Sequence, residues 1–131
     1  MESLRVIAKQ MVAEGKGILA ADESTPTCTK RFENLGLEST ELNRNEYRSN
    51  LFSTENLERY ISGVILFDET FHQTLFRTDT SIPEYLKTRG ILTGIKVDTG
   101  AKKLAGYSSE KITEGLDGLD AKLKEYFNLG A

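Results

Sequence analysis

Apolar residues recur at Leu4, Ile7, Ala8, Met11 and Val12, a spacing that gathers side chains on one face of a helix. Ser3 stands where a cap belongs and Gly15 where a stop belongs, so the pattern predicts an amphipathic helix over residues 3–14. The period then changes. Ile18-Leu19-Ala20-Ala21 is a continuous apolar run entered from Gly17 and closed by Asp22-Glu23-Ser24, the pattern of a strand buried on both faces. Val64-Ile65-Leu66-Phe67 repeats it between Gly63 and Asp68-Glu69-Thr70, and Ile91 to Val97 repeats it between Gly90 and Asp98-Thr99-Gly100. Strands are therefore predicted near residues 17–22, 63–68 and 91–98.

Helical signals separate these runs. One segment extends from Thr27 to Leu35 before Gly36, a second follows Ser39-Thr40 from Glu41 to Phe52, and a third follows Thr54 from Glu55 to Tyr60. Ser81-Ile82-Pro83-Glu84 supplies a cap, an early proline and a capping-box glutamate ahead of Tyr85 to Arg89. A last helix carries Leu116, Leu119, Leu123 and Tyr126/Phe127 on one stripe and stops at Gly130. Buried strands alternating with helices indicate an α/β chain of parallel βα units rather than hairpins. In a right-handed series the strand ends, marked here by Asp22, Asp68 and Asp98, collect on the face where α/β folds build their sites.

Composition narrows the chemistry. The 131 residues are 38% hydrophobic and 28% charged, with 17 Lys+Arg against 20 Asp+Glu and a net charge of −3, the profile of one globular domain or a piece of one. Charges of both signs are interspersed, which argues against a nucleic-acid partner. The apolar runs fall far short of the ~20 residues of a membrane span, and the N-terminus lacks a secretory apolar core, so a cytoplasmic location is expected. One cysteine, Cys28, excludes an internal disulfide, and one histidine, His72, leaves no zinc-ligand spacing; no metal and no cofactor is expected.

Three motifs and two single residues merit weighing. Gly15-Lys16-Gly17-Ile18-Leu19-Ala20 matches the dinucleotide fingerprint formally, but its glycines precede the strand instead of following it, so it reads as a helix stop and strand entry. In Ile95-Lys96-Val97-Asp98, alternation puts Lys96 and Asp98 on one face, either as a structural ion pair or as a cation placed for an anionic substrate. The segment Asp22-Glu23-Ser24-Thr25-Pro26-Thr27, leading to Lys30 and Arg31, reads either as a capped, solvated first turn or as a phosphate receptor. His72 reads as a surface or packing residue and Cys28 as incidental, with no base beside it.

Several blocks together resemble class I fructose-bisphosphate aldolase. They are Gly15 through Thr25, Lys30-Arg31, Asn43-Arg44 with Tyr47-Arg48, Gly63 to Phe67 with Glu69-Thr70, Gly94 to Asp98 with Gly100, Leu104-Ala105-Gly106, and Gly115 to Leu119. The resemblance runs in order from about Ile7 to the end. It implies a (β/α)8 TIM barrel that cleaves fructose 1,6-bisphosphate into dihydroxyacetone phosphate and glyceraldehyde 3-phosphate through a lysine Schiff base, without metal. It implies catalytic roles for Asp22 and Lys96, a phosphate-binding region at Ser24, Thr27, Lys30 and Arg31, and substrate contact by Arg44. Thr27 stands where many members have serine, and Pro26 replaces a common glycine. A homo-oligomer, commonly a tetramer, is implied for the complete enzyme.

Such a barrel takes about 250 residues, so this chain is expected to supply only its first three βα units, as a single partial domain. The strands implied to carry the Schiff-base lysine, the acid/base glutamates, a further lysine and the 1-phosphate site lie beyond them. The alternative is a non-catalytic phosphate-binding or scaffolding α/β module, or a small interaction protein with only an aldolase ancestry.

Overall fold

The computed structural model describes residues 3–131. Strand β2 (Ile61–Leu66) is the middle of a three-stranded parallel sheet, flanked by β1 (Gly17–Ala21) and β3 (Leu92–Ile95). Its Ile61, Val64 and Ile65 suit a pleated, buried ribbon, and Ser62, Gly63, Val64 and Leu66 are buried. Ile18 to Ala21 pair with Gly63 to Leu66, which in turn run beside Leu92 to Ile95. The sheet's strands enter and leave in one direction, so each is followed by helix or turn on the same side.

Helices cover one face of this sheet. α2 (Thr25–Glu33) and α3 (Glu41–Phe52) follow β1, α4 (Asp68–Phe71) and α5 (Ile82–Thr88) follow β2, and α6 (Leu119–Leu129) closes the described chain. Phe52, Val64, Leu66, Phe71, Ile82, Leu86 and Ile91 form the buried cluster, joined by Ala21 and Tyr126. Thr40 accepts from the Asn43 amide and Ser81 from the Glu84 amide, the capping expected from their positions. α1 (Leu4–Met11) buries none of its side chains and is tied down where the Ser62 hydroxyl donates to the Met11 carbonyl at 2.5 Å.

Four expectations change. β1 is not buried on both faces: Gly17, Ile18 and Ala20 are exposed, because among the described residues β1 pairs with β2 alone and no layer covers its second face. The segment from Glu55 to Tyr60 forms only a 3-10 turn, Leu57–Arg59, since Asn56 adopts a left-handed conformation that an α-helix cannot continue through. α2 starts at Thr25 instead of Thr27, with Pro26 in its first turn, where the missing N–H costs nothing. After β3 comes an antiparallel ribbon, β4 (Gly100–Leu104) with β5 (Tyr107–Glu114), where only parallel units were expected. β5 is exposed along its whole length, so no apolar run announces it.

Tyr126 is the buried anchor of the last helix. It packs edge-on to Phe71 at 5.1 Å and donates its hydroxyl to Asp68 Oδ1 at 2.5 Å. Burial, and then that bond, pushes the phenol pKa up. His72 adds a second tie, with Nδ1 2.9 Å from the Asp68 carbonyl oxygen and Nε2 3.0 Å from Glu125. The bond to the Asp68 carbonyl does most to raise its pKa, and Glu125 adds to it, against the opposing effect of burial. Leu123 and Phe127, expected in the apolar stripe, are 48% and 58% exposed.

The ribbon returns at Gly115 against the segment that follows β3. There φ is +142°, and a Cβ would lie 2.9 Å from both the Asp98 Cα and the Val97 carbonyl oxygen. Only glycine fits without displacing the backbone that carries Asp98. Gly115→Ala is accordingly expected to shift the Asp98 and Thr99 amide resonances and lower thermal stability, whereas Gly106→Ala, with nothing near its Cβ, should leave those two amides in place. Equal shifts in both variants would show that Gly115 is not the constraint.

Two sheet edges and an apolar face on α6 stay open in this chain. Unpaired parallel edges recruit other strands. The isolated 131-residue chain is expected to bind an apolar dye and to self-associate as concentration rises. A dye-negative monomer by light scattering at every concentration would contradict this.

Candidate active site

Parallel strands put their C-terminal ends side by side, and here those ends open into a cleft of about 820 Å³. Asp22, Asp68 and Asp98, the residues that close the three apolar runs, all line it. Ala20 faces the cleft while Leu19 and Ala21 pack toward the core, so the two-residue period of β1 aims its exit at open space. Ser24, Thr27 and Lys96 complete the set of sequence-expected residues on this wall.

Lys96 and Asp98 form an ion pair, Nζ to Oδ2 at 2.5 Å, with side chains 30% and 33% exposed. Lys96 extends the sheet by donating its amide to the Leu66 carbonyl at 2.9 Å. Asp98 is also held by the Gly100 amide at 3.0 Å. The bond from Lys96 does most to draw the Asp98 carboxyl below the usual carboxylate range, with the Gly100 amide assisting against a desolvation penalty. Both readings of the pair therefore meet in one place: it is an internal ion pair, and it lines the cleft.

The turn after β1 is the other wall. Ser24 is the N-cap of α2 in extended conformation, and its hydroxyl lies 3.2 Å from that of Thr27. Asp22 makes no hydrogen bond or ion pair among the described residues, although it lines the cleft. Lys30 and Arg31 fall in the last turn of α2, because the helix ends at Glu33, two residues earlier than expected, and its start at Thr25 carries them away from its N-terminus. They are exposed and do not line the cleft. Arg31 donates to Glu23 Oε1 at 2.5 Å and to the Tyr47 hydroxyl at 3.1 Å.

Arg44 lies elsewhere. It is buried and grips Glu69 through Nε at 2.8 Å and Nη2 at 2.5 Å, while Nη1 donates to the Ser39 carbonyl at 2.5 Å. This fork ties α3 to α4 and the chain before α3, outside the cleft.

Two features carried no assigned role in the sequence. Arg48, 1% exposed, donates Nη1 to the Thr70 hydroxyl at 2.7 Å and Nη2 to the Glu23 carbonyl, with Cys28 Sγ at 3.4 Å. It joins the turn after β1 to the segment after β2, and nothing in a local pattern marks a helix arginine as buried. Cys28 is buried against it; burial pushes the thiol pKa up despite Arg48, the opposite of an activated thiol. The second feature is on α6, where Lys122 and Tyr126 reach the same cleft. Their i, i+4 spacing was legible, but the direction of that face depends on how α6 docks. No group of three or more metal-ligating side chains gathers among the described residues.

The family model for fructose-bisphosphate aldolase class-I matches residues 3–131. A probable fructose-bisphosphate aldolase class 1 of Xanthomonas campestris is 53% identical over 133 aligned positions, covering 100% of this chain and 39% of that protein. The fructose-bisphosphate aldolase of Drosophila melanogaster is 52% identical over 95% of this chain and 35% of its own length. A solved structure of fructose-bisphosphate aldolase from Plasmodium falciparum superposes with a TM-score of 0.91 at 47% identity, over 96% of this chain and 36% of that one. The chain thus spans between a third and two fifths of the length of these relatives. With the α/β architecture, the strand-end cleft and the match over residues 3–131 in agreement, the chain belongs to the class I fructose-bisphosphate aldolase family.

Proposed function

We propose that this chain is the first three βα units of a (β/α)8 barrel and forms one wall of the site for reversible aldol cleavage of fructose 1,6-bisphosphate. The observation that carries the reading is the gathering of Asp22, Ser24, Thr27 and Lys96 on one cleft at the strand ends of a chain from this family. The nucleophilic amine that forms the Schiff base with the substrate carbonyl comes, on this reading, from the barrel beyond β3. The reading extends to a cytoplasmic, glycolytic lyase that assembles as a homo-oligomer, on the strength of the family resemblance; no described helix is long and apolar enough to cross a membrane.

Within the cleft, Asp22 has the properties of a proton-transfer group. Its carboxylate makes no ion pair among the described residues and borders open space, so it is free to stabilise an iminium and to exchange protons with a carbinolamine hydroxyl. Ser24 and Thr27 offer two hydroxyls at the start of a helix, a setting that favours a phosphoryl oxygen. Lys96, already bonded to Asp98, serves as an electrostatic partner of substrate rather than as the nucleophile. Lys30 adds exposed positive charge, and Arg31 joins the anion site by exchanging its bond to Glu23. Arg44 keeps a supporting part, because its donors are committed to Glu69 and Ser39.

The assignment of the nucleophile is tested on the chain itself. Borohydride treatment with dihydroxyacetone phosphate is expected to leave its intact mass unchanged; a stoichiometric adduct on Lys96 would move the Schiff base into this part of the barrel.

The catalytic assignment is tested in a fused polypeptide, in which this sequence is continued by the remainder of the Xanthomonas campestris relative. Asp22→Asn is expected to lower kcat about a hundredfold or more with little change in KM. Arg31→Ala, which removes one solvent-exposed charge, is expected to raise KM by about tenfold at most and spare kcat. If Asp22 is only the cap of its turn, Asp22→Asn will instead melt at a lower temperature with near-normal turnover, and the catalytic role falls.

A further inference from the structure

Most of the charged side chains on the cleft already have partners. Asp98 is bound to Lys96, Glu23 to Arg31, and Asp68 accepts from Tyr126 while its carbonyl holds His72. Two charged side chains remain without a hydrogen-bond or ion-pair partner among the described residues: Asp22 on the turn after β1 and Lys122 on α6. Lys122 reaches the cleft because it lies one turn before Tyr126 on the same helix face, and Tyr126 is fixed inward by Phe71 and Asp68. The next lysine, Lys124, faces away and pairs with Asp120 at 2.7 Å.

We propose that Lys122 is a substrate-binding residue of this site, supplying the uncompensated cation that attracts a phosphoryl group. The proposal rests on the aldolase reading of the cleft. Lys96 cannot fill this role unaided, because its charge is offset by Asp98 at 2.5 Å. An ammonium on a flexible stem acts as a point charge that needs no fixed fork geometry, so it can follow an anion across an open cleft. Its contribution is to affinity for phosphorylated over neutral sugars. Proton transfer stays with Asp22.

The test uses the fused polypeptide described above and steady-state kinetics with fructose 1,6-bisphosphate. Lys122→Gln is expected to raise KM about three- to tenfold while kcat stays within about twofold, as befits loss of one partly screened charge contact. The difference should shrink in about 0.5 M salt, where screening lengths fall to a few ångströms. Lys122→Arg should restore KM, and Lys124→Gln should match the parent throughout. An active parent in which Lys122→Gln and Lys124→Gln behave alike overturns the role of Lys122 and leaves the aldolase reading intact. So does a fall in kcat at unchanged KM. A parent that neither cleaves the bisphosphate nor is protected from thermal unfolding by inorganic phosphate overturns the aldolase reading and Lys122 with it.

Discussion

Pairing on both edges of β2 is the constraint on which the rest of the molecule depends. A parallel strand must satisfy its backbone on two sides, and in the three-stranded sheet only β2 does so, with β1 on one edge and β3 on the other. Close approach is helped by Gly63 opposite Leu92 and by Gly94 opposite Ile65, where a Cβ would already be in contact with the neighbouring strand. Because the three strands run in one direction, their exits fall together. The cleft is therefore a consequence of strand polarity before it is a matter of any particular side chain.

Side chains then lock the exits to one another. Arg48 spans from the Glu23 carbonyl to the Thr70 hydroxyl, joining the turn after β1 to the segment after β2. Arg44 repeats the device one turn earlier on α3, through Glu69. Buried guanidinium groups are costly unless most of their donors are bonded, and these two spend theirs on elements from different parts of the chain. On the far side, Tyr126 and His72 draw α6 to the end of β2. The wall of the cleft is thus a set of loops held by charge-assisted bonds to a rigid sheet, an arrangement that fixes Asp22 at the cleft without burying it.

The uncovered side of the sheet has a functional meaning on the aldolase reading. Ala20, Lys96 and Asp98 face a cleft that only the start of α2 and part of α6 border among the described residues, and β1 and β3 each keep one edge unpaired among them. In a closed barrel those edges would be paired and that side would meet the opposing strands. The exposure of Ile18 and of the Leu123–Phe127 face fits the same reading, since in a closed barrel neighbouring elements would cover such apolar surface.

Much was legible locally. The three apolar runs, each entered from glycine and ended by aspartate, identified the strands and the side on which Asp22, Asp68 and Asp98 gather, because strand period and parallel topology leave few alternatives. The caps at Thr40 and Ser81 marked their helices for the same reason: a side-chain oxygen meets an amide within three residues. Of the expected site residues, Asp22, Ser24, Thr27 and Lys96 share the cleft, while Lys30, Arg31 and Arg44 lie outside it. Tertiary structure alone decided that Arg48 is buried, that Arg44 binds Glu69, that the polar β4–β5 ribbon forms, and that α6 turns Lys122 toward the cleft. Hydrophobic period and capping are set by neighbours along the chain. The partner of a charged side chain is set by whichever element packs against it, and that is known only once the layers have closed.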